Sequence, residues 1–123
     1  MTTTSRTGTL PPTLDWVEAF PAAITVCDRE GTILSMNARS RATFAKAGGE
    51  ALLGSSLFDC HPAAASEKIR ELLSSAESNA YTIEKDGVRK LIFQAPWFLD
   101  GECAGLVELS LVLPPTMPHH VRG

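Results

Sequence analysis

Two Asp-Gly pairs in the last third of the chain most restrict the fold that this sequence can adopt. Asp86-Gly87 and Asp100-Gly101 each lie between apolar runs. An Asp-Gly pair in that setting is among the strongest short-range signals for a β-hairpin. Pro96 lies beside the middle run and predicts a bulge or a sheet edge there, since proline has no N–H to donate to a ladder. The pattern predicts three consecutive strands, over residues 81–84, 88–95 and 103–113.

The first third of the chain predicts another hairpin. Residues 23–27 and 32–36 are rich in β-branched and aliphatic residues. Residues 28–31 between them form a turn, in which Gly31 can adopt a positive φ without steric cost. Two further strands are therefore expected near the start of the chain.

Helices are predicted between and before these hairpins. The clearest is residues 62–75, where apolar residues recur at helical spacing and Pro62 suits the first turn. Its apolar stripe consists of Ala65, Ile69, Leu72, Leu73 and Ala76. The other predicted helices are residues 13–20, capped by Thr13 and ended by Pro21, residues 38–47 after Asn37, and residues 50–53.

Strands at both ends of the chain with helices between them indicate an α+β fold. We expect one five-stranded antiparallel sheet with short helices on one face. A length of 123 residues suits a single domain. We place that domain at residues 13–113, between a flexible N-terminal arm over residues 1–12 and a C-terminal tail over residues 114–123.

Composition excludes several classes of function. The formal net charge is −3, which gives no general attraction to nucleic acid or to an anionic membrane. No apolar run is long enough for a membrane helix, and no secretory signal is visible, so a cytoplasmic protein is expected. Cys27, Cys60 and Cys103 are odd in number and widely spaced, which predicts neither a disulfide framework nor a zinc site. His119 and His120 lie in the tail and predict no metal site.

From about Leu14 to Leu113 the chain resembles a Per-Arnt-Sim (PAS) domain. The opening hairpin ends in Asn37, as PAS hairpins often do. Residues 52–59, Leu-Leu-Gly-Ser-Ser-Leu-Phe-Asp, are similar to a segment of the family, and the three terminal strands follow in the family's order. The stretch Cys60-His61-Pro62, together with a Gly-Leu-x-Glu final strand, resembles a narrower bacterial subgroup.

The resemblance implies a non-catalytic sensor or interaction module of signal transduction. Such modules enclose a small cavity, which often holds a heme, a flavin or a small metabolite, and they often form dimers. The implied partners are a second copy of the chain and a signalling protein. No output-domain pattern follows Leu113, so a free-standing module and an excised piece both stay open.

Cys60-His61 is the pair of residues with the most reactive side chains in this sequence. One interpretation is structural, with His61 capping the helix after Pro62 and Cys60 filling space. A second is contact with a ligand, and a third is a thiol-dependent enzyme in which His61 activates Cys60. Adjacent residues rarely point at each other, and no third orienting group is identifiable, so the structural interpretation is favoured.

The resemblance also limits the cofactor. Heme-binding PAS domains usually use a histidine within the long helix, and residues 62–75 contain none. Cys60 does not lie in the sequence box of the photoactive flavin subgroup. The ligand stays unidentified.

Asn37 predicts either a cap of the following helix or a hydrogen bond to a ligand, and capping is favoured. If a cavity is present, we expect apolar walls with few polar groups. The predicted ligand-contacting residues are Asn37, Phe58, Cys60, His61, Ile69, Leu72, Phe93 and Leu106.

Exposed apolar residues at the N-terminus predict a homodimer through the outer face of the sheet and the first helix. Leu14, Trp16, Val17 and Phe20 are too apolar for a free surface helix of this length. The main alternative to a sensor is a purely structural dimerisation module with a filled core.

Overall fold

The computed structural model describes residues 15–123, and within them every part of the predicted architecture is present. Five strands and four α-helices follow each other along the chain. The strands are β1 (Ala23–Asp28), β2 (Ile33–Met36), β3 (Asn79–Lys85), β4 (Val88–Leu99) and β5 (Glu102–Val112). The helices are α1 (Trp16–Ala19), α2 (Ala38–Thr43), α3 (Leu57–Cys60) and α4 (Ala63–Ser75), and two short 3₁₀ helices, Ala45–Ala47 and Gly49–Leu52, follow α2.

All five strands form one antiparallel sheet in the order β2-β1-β5-β4-β3. The predicted five-stranded antiparallel sheet with short helices is therefore confirmed. The last strand of the chain lies at the centre, between β1 and β4, which brings the two ends of the domain together. Pro96 stays within β4 opposite Leu106, and the expected irregularity follows directly, as a register shift between Trp97 and Phe98.

The helices differ from the prediction mainly at their ends. The stretch over residues 38–47 is interrupted at Phe44, where α2 ends and a 3₁₀ turn begins. Pro62 is the N-cap of α4 rather than its first helical residue. Asp15 caps α1 by accepting hydrogen bonds from the next turn, whereas Thr13 and the arm over residues 1–12 lie outside the described residues.

The core lies on the face of the sheet that α4 covers. Ile69, Leu72 and Leu73 of α4 are buried there against Cys27 of β1 and Leu106 of β5. We call this side the inner face, and the opposite side the outer face. Side chains alternate between the two faces along each strand, so the residues next to Cys27 and Leu106 point outward.

Gly105 is needed where β1 and β5 approach each other. A Cβ atom at this position would overlap the carbonyl oxygen of Cys27 and would lie 2.7 Å from Nε1 of Trp97. That indole nitrogen donates a hydrogen bond of 3.0 Å to the same carbonyl oxygen. The absent side chain therefore lets Trp97 reach across β5 to β1.

Candidate functional site

A cavity lies between the inner face of the sheet and the helices that cover it. Its lining residues are Thr25, Cys27, Ile33, Met36, Phe44, Leu52, Leu57, His61, Ile69, Gln94, Leu106 and Glu108. The centre of a water molecule can reach about 30 Å³ of it. Because one water needs roughly 10–15 Å³ by this measure, the space suits about two or three waters, or a small organic group.

A row of polar side chains crosses the inner face within this apolar surround. Glu108 of β5 lies opposite Thr25 of β1 on one side and Gln94 of β4 on the other, and Gln94 lies opposite Asn79 of β3. We call these four residues the polar row. Asn79 Nδ2 donates to Gln94 Oε1 at 2.9 Å, and Gln94 Nε2 donates to Glu108 Oε2 at 2.9 Å. Gln94 is buried and Glu108 is partly buried.

At the β1 end of the polar row, Thr25 is hydrogen-bonded to α2. The hydroxyl groups of Thr25 and Ser40 lie 2.6 Å apart and share a hydrogen bond. Ser40 is fully buried in the first turn of α2. A cavity ligand that contacts Thr25 would therefore be one hydrogen bond away from α2.

Asn37 has the capping role that was favoured for it. Its Oδ1 accepts from the backbone N–H groups of Ser40, at 3.0 Å, and Ile24, at 2.9 Å. Its Nδ2 donates to the carbonyl oxygens of Val17 and Ala22, each at 2.8 Å. All its main hydrogen-bonding capacity is used to join α1, β1 and α2, so its role in the fold is structural.

His61 lines the cavity but does not cap α4. The predicted cap is wrong, because Pro62 occupies that position and no side chain caps the helix. His61 instead follows α3, and its Nδ1 lies 2.8 Å from the carbonyl oxygen of Leu57. That bond within one turn orients the ring toward the cavity. The side chain of Cys60 lies outside what the structure describes.

The remaining predicted contact residues occupy three different places. Ile69 and Leu106 line the cavity. Leu72 is buried in the core, while Phe58 packs at its edge beneath the guanidinium of Arg70, which lies 4.1 Å from the ring centroid. Phe93 points to the outer face, since its neighbour Gln94 lines the cavity.

Sequence reasoning missed the polar row, although a signal was present. Thr25, Gln94 and Glu108 are polar residues that are flanked on both sides by apolar residues in their strands. What makes them significant is their alignment across three neighbouring strands. That alignment depends on the strand order and register, which place β5 at the centre of the sheet.

The electrostatic character of the cavity is negative. Glu108 is the one acidic residue among the described lining residues, and no lysine or arginine lies among them. Burial raises the pKa of the Cys27 thiol, and the negative charges of Asp28 and Glu108 add to this effect. Cys27 is therefore a neutral thiol at pH 7. Within residues 15–123 no group of three metal-ligating side chains is close enough to hold a metal ion.

A heme or a flavin is larger than the space that this cavity encloses. Space for about two or three waters is far too small for a porphyrin or an isoalloxazine ring system. The lining residues suit a much smaller molecule.

Comparison with known proteins agrees with this architecture. A family model described as "PAS fold" matches residues 17–113. A search of curated proteins finds no match. Within the part of the chain that the structure describes, no helix is long and apolar enough to cross a membrane.

Three solved structures illustrate the similarity. A C-terminal domain from Streptococcus mutans is 17% identical, with a TM-score of 0.66 and 81% of each chain covered. The PAS domain of Bordetella pertussis BvgS is 20% identical, with a TM-score of 0.59, and the alignment covers 80% of this chain and 82% of that one. The Vibrio cholerae Aer2 receptor, described as a dual PAS-heme oxygen sensor, is 15% identical, with a TM-score of 0.57 and coverages of 80% and 99%.

Proposed function

Because the chain belongs to the PAS fold family, we propose that it is a non-catalytic sensor module that binds a small molecule in its inner cavity. Binding would favour one arrangement of the sheet and the N-terminal helix, and a partner would detect that arrangement. The proposed partners are a second copy of the chain and a signalling protein. The narrower resemblance to the Cys-His-Pro subgroup stays a prediction, since the family match does not distinguish subgroups.

The polar row is the observation that carries this proposal. Burying the Gln94 amide and part of the Glu108 carboxylate removes polar groups from water, which costs free energy. Small-molecule sites combine apolar walls with a few well-placed polar groups. Thr25, Gln94 and Glu108 supply such groups within walls formed mainly by aliphatic side chains.

A connected set of contacts leads from the cavity to α1. Met36, the last residue of β2, and Phe44, which follows α2, both line the cavity. Arg41 of α2 donates to the carbonyl oxygen of Met36 at 2.7 Å and forms an ion pair with Glu18 of α1. A ligand that displaces Met36 or Phe44 would therefore move the residues that hold α1.

The outer face supports the proposed homodimer. Phe93, Leu109 and Ile24 are paired across β4, β5 and β1 and point away from the cavity. The next row is Ala95, Val107 and Val26, and most members of both rows are only partly buried. In α1, Trp16 and Phe20 are 56% and 42% exposed. A contiguous apolar surface that is partly exposed in this way is typical of protein–protein contacts.

Mass spectrometry of small molecules released from the purified protein tests the function. We expect the wild type to release one compound in proportion to protein. Ile33→Phe fills the cavity and should reduce that compound at least about tenfold, since overpacking leaves no room for a guest. Leu34→Phe is the matched control, because Leu34 is the adjacent residue and is 49% exposed. Equal release from both variants, or none from the wild type, would contradict a ligand-binding cavity.

A structural dimerisation module is the second candidate. The small volume of the cavity favours it, since two or three waters could occupy that space permanently. The same mass spectra discriminate the two functions: a structural module releases no compound and still forms the dimer.

A further inference from the structure

We infer that the cavity takes a small organic cation, such as a primary ammonium compound, and that the Glu108 carboxylate binds its charged group. This inference rests on the proposed function, because it names the ligand class of the same cavity. Its basis is the orientation of the polar row and the charge of the lining residues.

The hydrogen bonds of the polar row fix the orientation of the Gln94 amide. Its Oε1 accepts from Asn79, so its NH₂ group is the end that reaches Glu108 Oε2. An NH₂ donor needs an acceptor, and the ionised carboxylate is an acceptor with about four sites on its two oxygens. Gln94 therefore presents a donor to Glu108 and uses one of those sites.

Glu108 retains capacity to bind a ligand. Within residues 15–123, the bond from Gln94 is the one hydrogen bond that its side chain makes, and no lysine or arginine forms an ion pair with it. A carboxylate beside apolar walls loses part of its hydration, which strengthens its attraction for a cation. An anionic ligand would meet this charge without any compensating lysine or arginine.

The surroundings of Glu108 suit an ammonium group. Thr25 lies directly opposite on β1, and its hydroxyl oxygen provides a second acceptor on the same face. Side chains paired in this way are about 5 Å apart at Cβ, a spacing that one ammonium group can bridge. Leu106, Met36 and Ile33 offer apolar contacts for a short carbon chain. The volume limits that chain to a few carbon atoms.

Propylammonium, 1-propanol and propionate test the inference as matched probes of the intact protein. Each would be titrated at constant ionic strength while the backbone amide NMR signals of Thr25, Ile33 and Leu106 are followed. We expect a Kd for propylammonium that is at least about tenfold lower than for 1-propanol, as a charge-assisted hydrogen bond predicts. Propionate should bind most weakly.

Glu108→Gln should abolish the tenfold preference of the cavity for propylammonium over 1-propanol. Glu102→Gln is the control, because Glu102 is an exposed glutamate on the same strand. Glu108→Asp keeps the charge and should keep part of the preference, which provides a second variant if the glutamine protein folds poorly.

Each result decides between the two proposals. If 1-propanol binds as tightly as propylammonium, or if the preference survives Glu108→Gln, the cation inference is wrong and the cavity remains a ligand site. If no probe shifts the cavity amides in the wild type, the inference and the proposed function both fail.

Discussion

In one row of residues, the two faces of the sheet carry the reverse of the polarity expected for a simple globular domain. At the level of Glu108, the inner face presents Thr25, Glu108 and Gln94 in a row beneath the helices. One residue along each strand, the outer face presents Ile24, Leu109 and Phe93. An antiparallel sheet with one solvated face normally shows apolar residues inside and polar residues outside.

This inversion indicates that neither face serves stability alone. Polar groups inside a cavity cost free energy unless something uses them, and apolar groups outside gain little until something covers them. We interpret the inner face as the site for a small ligand and the outer face as the site for a protein partner. Strands β1, β5 and β4 thus connect ligand binding on the inner face with partner binding on the outer face.

The largest expected effect is on the free energy of unfolding. It is measured by substituting two leucines of β5 that lie on opposite faces of the sheet. Leu106→Ala should lower the free energy of unfolding by about 2–5 kcal/mol, because it leaves a cavity in the buried core. Leu109→Ala should cost less than half as much, and its effect should vanish on dilution if Leu109 acts mainly at the proposed dimer contact. Denaturant unfolding at two protein concentrations measures both. If Leu109→Ala lowered the free energy of unfolding more than Leu106→Ala does, and equally at both concentrations, the proposed roles of the two faces would be wrong.

Charge on the outer face should dissociate the dimer without unfolding the domain. Phe93→Lys is expected to raise the dimer Kd about thirtyfold or more, the effect of losing an interface anchor of about 2 kcal/mol. Light scattering over a dilution series provides the measurement. Tyr81→Lys is the control, since Tyr81 is exposed on the edge strand β3 and on the inner face. Equal dissociation by both variants would contradict the assignment of the dimer surface.

Replacing the central amide of the polar row tests whether its hydrogen bonds contribute to the stability of the fold. Gln94→Leu removes the partner of both Asn79 and Glu108, and we expect it to destabilise the protein by about 1–3 kcal/mol. Asn79→Leu keeps the bond between Gln94 and Glu108 and should cost less. Thermal unfolding of both variants gives the difference. A more stable Gln94→Leu protein would show that this position prefers an apolar side chain.

The smallest effect concerns the attachment of α1. The hydrogen bond from Arg41 lowers the pKa of Glu18 below its ordinary value of 4.5. A lowered folded-state pKa stabilises the protein above the ordinary value, and this contribution is lost as the pH falls through the folded-state value. Arg41→Gln should therefore make unfolding less sensitive to pH between 7 and 3, whereas Lys68→Gln, which breaks an exposed pair on α4, should not. Identical pH profiles for the wild type and Arg41→Gln would rule out this anchor.

The sequence was sufficient to predict the strands, the sheet type and the cap at Asn37, because these depend on local signals. Asp-Gly turns define hairpins, and an asparagine before a helix has few other uses. Strand order and face assignment required the structure. Phe93 was expected in the cavity on the strength of its apolar side chain, yet its register with Leu109 places it on the outer face. His61 was expected to cap α4, but α3 ends at that point and its ring bonds within the preceding turn.

Native mass spectrometry of the intact wild-type protein tests the central account most directly, because one spectrum reports on both faces. We predict a species with twice the mass of the chain and a further increment for one small molecule per chain. Collisional activation should release that molecule as a small cation, while the bare dimer persists. A single chain with no added mass would contradict the assignment of the inner face to a ligand and of the outer face to a partner.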